Sequence, residues 1–95
     1  MFIGVLSLRI RLHAVFSLKE KRKLSNSIRQ KIRNKFNVSV AEIDNMDDKT
    51  ELSLAISMVC NERKRIDSTL SKVLSTVEAL TDQEVSAVNM EIFGA

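Results

Sequence analysis

Two residue types usually considered for catalysis occur once each in this 95-residue chain, the thiol of Cys60 and the imidazole of His13. A cysteine nucleophile needs a base within hydrogen-bonding distance. Each residue ends an alternating apolar segment that is typical of a strand. If those two strands pair antiparallel, Cys60 and His13 lie at opposite edges of the sheet. We therefore expect no catalytic pair and no enzyme activity; a thiol that packs as a small apolar group and a solvated histidine are the ordinary interpretations.

Four carboxylates cluster in one predicted turn near residues 45–49: Asp44, Asp47, Asp48 and Glu51. Oxygen ligands suit Ca²⁺ and Mg²⁺, but the cluster lacks the EF-hand spacing and its turn glycine. The glycines, Gly4 and Gly94, lie too far apart to form a loop that cradles phosphate. We expect a solvated polar turn, no metal, no cofactor and no small-molecule substrate.

The densest charge lies in residues 17–35, SLKEKRKLSNSIRQKIRNK. Ser17 and Glu20 have the spacing of a capping box, and Phe16 precedes the cap as a candidate staple residue. An apolar stripe predicts one helix to about residue 34: Leu18, Leu24, Ile28 and Ile32. Its other positions carry eight cations, so the helix should anchor the core and show a cationic surface to water. Residues 1–35 have a net charge of +9 and residues 36–95 a net charge of −6.

The remaining segments predict the order strand–helix–strand–strand–helix–strand. Residues 2–13 alternate as a first strand, with Gly4 inward where a helix can approach closely. A second strand should cover residues 36–43 with a bulge near Ala41–Glu42, and a third residues 51–60. Asn61 is the expected cap of a second helix that runs to Leu80, and Val88, Met90 and Ile92 share the inward face of a last strand. We predict a single domain, residues 1–95, with a ferredoxin-like α+β sandwich: a four-stranded antiparallel sheet, the first and third strands central, and two helices on one face.

The cationic helix predicts binding to a phosphate backbone. The candidate nucleic-acid contacts are Lys19, Lys21, Arg22, Lys23, Arg29, Lys31, Arg33, Arg9 and Arg11. Readers of single-stranded RNA on such a sheet stack bases on aromatic side chains. The open-face positions of the central strands hold none, which favours a structured RNA such as ribosomal RNA or a ribosomal subunit. A merely solvated basic face is the alternative.

The open sheet face supports a second hypothesis, a homodimeric protein-interaction module with no nucleic-acid role. Ile3, Val5, Ala55 and Val59 would form an apolar patch there. Arg9 or Arg11 could pair with Glu91 within or between subunits. No stretch is apolar enough to span a membrane, and we expect a cytoplasmic protein.

Three segments of the chain resemble the YlxP-like family of bacterial proteins of unknown function: Gly4-Val5-Leu6, Ser17–Arg22 (SLKEKR) and Phe36–Glu42 (FNVSVAE). Asn61 after the third strand is similar too. The resemblance implies a small ferredoxin-like protein whose genes often neighbour those of translation initiation factor 2 and ribosome-binding factor A. Relatives usually carry a tryptophan where this chain reads DDKTEL, at Asp47–Leu52. The family implies no catalytic residues.

Overall fold

The secondary-structure elements occur in the predicted order. The structure is a computed structural model and describes residues 1–13, 17–44 and 46–95. In chain order the elements are β1 (Phe2–Arg11), α1 (Leu18–Lys35), β2 (Ser39–Glu42), β3 (Glu51–Cys60), α2 (Arg63–Leu80) and β4 (Glu84–Gly94). The predicted ferredoxin-like α+β class is confirmed. Neither helix, within the described residues, has the length and apolar character of a membrane-spanning segment.

The four strands form one antiparallel sheet in the order β2-β3-β1-β4, so β1 and β3 are central as predicted. β1 pairs with β3 over its whole length, from Phe2 opposite Cys60 to Arg11 opposite Glu51. α1 and α2 both pack on one face of the sheet. The other face is open.

The core lies between the sheet and the helices. It contains Leu6, Leu8, Ile10, Leu12, Ile28, Ile32, Val40, Leu52, Leu54, Ile56, Ile66, Leu70, Val73 and Val77. Gly4 lets α2 approach β1, because a Cβ at this position would clash with Ile66 Cγ2 and lie 3.1 Å from Leu70 Cδ1. The close approach expected at Gly4 is therefore confirmed.

The expected bulge in the second strand is wrong. β2 pairs with β3 without interruption, from Ser39 opposite Ser57 to Glu42 opposite Leu54. The alternation breaks afterwards because the chain turns at Asp44, whose φ is +53°. β2 is also shorter than residues 36–43, since Phe36 caps α1 by donating its N–H to the Ile32 carbonyl.

The sheet irregularity lies between β1 and β4 instead. Ser7 pairs with Asn89 and Leu8 with Ala87, so Val88 is the extra residue. Val88 is 53% exposed, and its expected inward position is wrong.

Three predictions remain: the cap of α2, the staple residue before α1 and the turn before β3. The expected cap Asn61 is wrong, because α2 is capped by Glu62 without a side-chain hydrogen bond. The predicted staple Phe16 lies outside the described residues. So does Asn45, the first residue of the predicted turn.

Candidate nucleic-acid interface

α1 holds the cationic surface in place through its first turn and its buried face. Ser17 Oγ accepts the Glu20 N–H at 3.1 Å, and Glu20 Oε1 accepts the Ser17 N–H at 3.3 Å. This confirms the predicted capping box, which satisfies two of the amides that a helix start leaves without partners. Ile28 and Ile32 are fully buried against the sheet. The opposite surface of α1 therefore faces water in a fixed orientation.

Seven cations of α1 contribute to that surface. Six are exposed and Arg29 is half-buried: Lys19, Arg22, Lys23, Arg29, Lys31, Arg33 and Lys35. We call this set the α1 cationic surface. Within residues 1–13, 17–44 and 46–95, none of its members forms a salt bridge. The one acid of α1, Glu20, is engaged in the capping box, and no carboxylate of the described residues lies within salt-bridge distance of this surface.

Arg22, Arg29 and Arg33 form a row along one flank of α1. Their spacing of seven and four residues places them within about 40° of each other's direction around the helix axis. Arg29 Nε donates to Ser25 Oγ at 3.1 Å, and Arg29 Nη2 donates to Asn26 Oδ1. Arg33 Nη2 donates to the Val40 carbonyl of β2 at 2.6 Å. Two guanidinium groups are thus oriented by the fold, while each keeps further N–H groups that can donate.

Lys21 was expected on the same surface, and that prediction is wrong. Its side chain is 1% exposed. Lys21 Nζ donates to the backbone carbonyls of Met46 and Asp48, and lies 3.9 Å from Glu42 Oε2. A buried ammonium group requires such partners because desolvation of an unpaired charge is costly. Lys21 therefore ties α1 to the β2–β3 connection and does not face solvent.

Arg9 and Arg11 lie on the other side of the sheet from α1. Arg9 Nε is 3.6 Å from Glu51 Oε2. Arg11 stands between Glu51 of β3 and Glu84 of β4 in the strand register. Together with Ser86, these residues line a shallow cavity of about 220 Å³. Two arginines and two glutamates make this cluster nearly neutral. Because it lies on the other face of the sheet, it is separate from the α1 cationic surface.

The opposite end of the open face is apolar. Ile3 lies between Val59 of β3 and Phe93 of β4 in the register. Val59 is 63% exposed and Phe93 is 44% exposed. The predicted interface residues Val5 and Ala55 lie on the same face but have polar neighbours, such as Ser57 and Glu91 beside Val5. We call the set Ile3, Val59 and Phe93 the apolar row.

Phe93 was missed by the sequence prediction, although its position was available from strand alternation. Met90 and Ile92 are half-buried against the core, so Glu91 and Phe93 must point to the other face. Glu91 does not pair with Arg9 within the subunit. It accepts a hydrogen bond from Asn89 Nδ2 at 2.9 Å, and Arg9 pairs with Glu51.

His13 and Cys60 lie where the antiparallel pairing predicts, at opposite ends of β1. Cys60 is opposite Phe2, whereas His13 follows Arg11. Ten residues of strand separate these ends by about 30 Å. His13 Nε2 lies 3.3 Å from Glu84 Oε2 on the surface. The two side chains therefore cannot act as a nucleophile and its base within one subunit.

The turn acids do not converge on one point. Asp48 Oδ1 accepts hydrogen bonds from Thr50 Oγ1 at 2.6 Å and from the Thr50 N–H at 2.7 Å. These bonds, the hydroxyl first, hold the pKa of Asp48 below its usual range, and the charge of Lys21 adds to the effect. Glu51 points to the open face with Arg9. Within the described part of the chain, no three His, Cys, Asp or Glu side chains come together as metal ligands.

Solved structures similar to this chain support the fold. A de novo designed protein, Foldit4, superposes with a TM-score of 0.58 over 98% of both chains, at 18% sequence identity. SnoaB, a cofactor-independent oxygenase from Streptomyces nogalater, superposes with a TM-score of 0.55 over 98% of this chain and 92% of its own, at 9% identity. FabD from Acinetobacter baumannii superposes with a TM-score of 0.54 at 12% identity, over 90% of this chain but only 21% of FabD. At these identities the likeness concerns the fold alone.

Sequence comparison identifies the family of the chain. An uncharacterized protein of Bacillus subtilis (strain 168), YlxP, is 34% identical over 77 residues, which cover 81% of this chain and 84% of YlxP. The family described as "Protein of unknown function (DUF503)" matches residues 3–90. Both findings confirm the resemblance drawn from the three segments. The chain belongs to the DUF503 family, whose function is unknown, and is a YlxP-like member of it.

Proposed function

We propose that this protein binds the phosphate backbone of a structured RNA, with ribosomal RNA as the candidate, through the α1 cationic surface. The observation that carries the proposal is the lack of carboxylate partners. Seven cations project from one helix, and no described acid lies within salt-bridge distance of any of them. Such a surface repels itself unless an external polyanion is nearby.

Phosphate binding would use the arginine row and the neighbouring lysines differently. Arg29 and Arg33 are already oriented by Ser25 and Val40, so fixing their side chains on a phosphate costs less conformational entropy. Lys19 and Lys23 are exposed and would follow the backbone as point charges. Contacts of this kind position a protein on RNA without reading its sequence.

Counterion release provides a quantitative expectation. If about five phosphates are neutralised, the logarithm of the association constant should fall with the logarithm of the salt concentration with a slope near −4. Affinity would then drop by more than about a hundredfold between 50 and 200 mM salt. A protein that recognises RNA mainly through neutral hydrogen bonds would show a much shallower slope.

The test is co-sedimentation with purified ribosomal subunits at low and moderate salt. The variant Arg22→Glu/Lys23→Glu changes two exposed cations for which no structural hydrogen bond is found among the described residues. The control Lys49→Glu/Lys72→Glu makes the same change in net charge at exposed residues outside α1. We expect salt-sensitive co-sedimentation of the wild type and the control, and its loss in the α1 variant.

Two outcomes would contradict the proposal. The wild type could fail to co-sediment even at low salt, which removes the ribosome as the partner. Alternatively, both variants could lose binding equally, which would assign the effect to net charge rather than to α1. Circular dichroism of each variant checks that the fold is retained.

A second candidate function is homodimerisation through the open sheet face, and the apolar row favours it. Val59 and Phe93 are exposed on either side of Ile3, with no element of the chain covering them in the described structure. Large apolar side chains in contact on a surface often mark an interface. Sedimentation equilibrium should then detect a dimer that Val59→Asp disrupts and Val88→Asp, at the bulge of β4, preserves. A monomeric wild type at all concentrations would exclude this candidate.

A further inference from the structure

The end of α1 and the start of α2 meet in a cleft. It has a volume of about 370 Å³ and is lined by residues from both helices, from the α1–β2 connection and from the end of β3. Its polar side chains include Lys35 from α1, Arg65 from α2 and Asn37 between α1 and β2. Phe36 and Met58 supply apolar surface, and the thiol of Cys60 also lines it. We call this the Lys35–Arg65 cleft.

The charge of the cleft is positive although it lies mostly in the acidic part of the sequence. Three of the five cations of residues 36–95 stand together at the start of α2, as Arg63, Lys64 and Arg65. Of these, Arg65 lines the cleft beside Lys35 at the end of α1. Arg63 and Lys64 line a separate cavity next to β4, where Arg63 Nη1 donates to the Ile92 carbonyl at 3.0 Å. None of the described residues that line the cleft is an acid. The carboxylate found near Arg65 is Glu62, at 3.9 Å on the surface, where such a pair contributes little.

The cleft is continuous with the α1 cationic surface. Lys31 and Lys35 are one helical turn apart, on the flank of α1 opposite to the arginine row. Lys35 Nζ also lies 5.7 Å from the centre of the Phe36 ring, so the α1 cationic surface and the aromatic side chain of the cleft are neighbours. A strand that follows the α1 cationic surface would reach the cleft without crossing a region of negative charge.

We infer that the Lys35–Arg65 cleft binds one nucleotide of the RNA, an inference that rests on the proposed function. Lys35 and Arg65 hold its phosphate. Phe36 and Met58 provide the apolar surface for its base, and the Asn37 side chain offers both a donor and an acceptor to the base edge. The interface is thereby formed by two helices, and a nucleotide that has left a duplex fits the cleft better than a paired one.

Cys60 provides a direct readout, because it is the only thiol of the chain and lines the cleft. Its rate of alkylation by N-ethylmaleimide, an uncharged reagent, is measured with and without a saturating fluorescein-labelled RNA hairpin that has a single-stranded loop. Binding of the hairpin is followed in parallel by fluorescence anisotropy at several salt concentrations. We expect RNA to slow alkylation severalfold and a mononucleotide at the same phosphate concentration to leave it unchanged.

Matched variants separate the cleft from the rest of the surface. Lys35→Ala/Arg65→Ala should make the salt slope shallower by about 0.9, the contribution of one phosphate, and abolish protection of Cys60 even at saturating RNA. The control Lys64→Ala/Lys72→Ala removes the same charge outside the cleft lining and should retain protection. Circular dichroism confirms that both variants are folded.

The outcomes distinguish this inference from the proposed function. If the hairpin binds but neither protects Cys60 nor responds to the Lys35/Arg65 variant more than to the control, the cleft inference is wrong and the α1 proposal stands. Protection by the mononucleotide without protection by the hairpin would also overturn it. If the hairpin and the ribosomal subunits both fail to bind the wild type, the proposed function and the cleft inference fail together.

Discussion

Replacing the buried Lys21 with methionine should destabilise the fold without removing a surface contact. Methionine has nearly the same length and fits an apolar site, so the change deletes the charge and its hydrogen bonds while it largely keeps the volume. Lys21 Nζ donates to the Met46 and Asp48 carbonyls and faces the Glu42 carboxylate at 3.9 Å. All of these groups would lose their cationic partner.

The size of the effect follows from those contacts. A hydrogen bond from a charged donor contributes about 1.5–3 kcal/mol, and the longer bond to Met46, at 3.3 Å, belongs at the low end. Glu42 is 11% exposed, so its carboxylate would remain nearly buried without the ammonium group. Removing one member of a buried ion pair typically costs about 3–5 kcal/mol. Because methionine gains some apolar burial, we expect a net loss of about 3 kcal/mol in the free energy of unfolding.

The assay is urea denaturation followed by circular dichroism, with Lys23→Met as the control. Lys23 is exposed two residues further along α1, so its replacement should change the free energy of unfolding by less than about 0.5 kcal/mol. The denaturant midpoint of Lys21→Met should fall with little change in slope, because the surface exposed on unfolding is nearly the same. Equal midpoints for the two variants would refute the role of Lys21 as a buried tie.

Two further substitutions test other parts of the fold. Gly4→Ala places a methyl group against Ile66 and should lower the free energy of unfolding by about 2 kcal/mol. The control Gly94→Ala, whose Cβ would lie 3.8 Å from the nearest atom, should leave it unchanged. Urea denaturation compares the two variants, and equal free energies of unfolding would contradict the close packing at Gly4. Thr50→Val removes the hydroxyl that donates to Asp48, so the pKa of Asp48 should rise toward its usual value in an NMR titration, and an unchanged pKa would contradict that cause. Because folding lowers the pKa of Asp48, ionised Asp48 stabilises the folded protein at a pH above its pKa in the unfolded chain. This stabilisation is lost as the pH falls through the pKa of Asp48 in the folded protein. The free energies of unfolding of the wild type and Thr50→Val should therefore become equal in acid.

The elements were predictable from local patterns, because the signals are strong and act over short distances. The capping box of Ser17 and Glu20 located the start of α1 to the residue, and strict alternation located β1 and β3. Two helices and four strands in this order have few packing solutions, so the topology followed. Details that depend on tertiary contacts did not follow, such as the extra residue Val88 between β1 and β4.

Lys21 was predicted to be exposed because it is a lysine, although its spacing along α1 indicates a buried position. Residues 21, 25, 28 and 32 follow a four-three-four spacing, which is one face of a helix, and all four are buried. The apolar stripe chosen from the sequence used Leu24 instead, since lysine is rarely buried without partners. Those partners are mainly backbone carbonyls of the β2–β3 connection, and no side-chain pattern reports where a backbone carbonyl will point.

The two proposed surfaces lie on opposite sides of the sheet, which limits how they can cooperate. α1 covers one face, and the apolar row of Ile3, Val59 and Phe93 lies on the other. In a dimer formed through the open faces, the two sheets would be about 10 Å apart and each helix layer about 10 Å further out. The two α1 cationic surfaces would then face away from each other across about 30 Å. One short duplex could contact only one of them, so a dimer should bind a short hairpin with the affinity of a monomer. Tighter binding by the dimer would require an RNA that bends around both sides, and a titration with short and long RNAs distinguishes these cases.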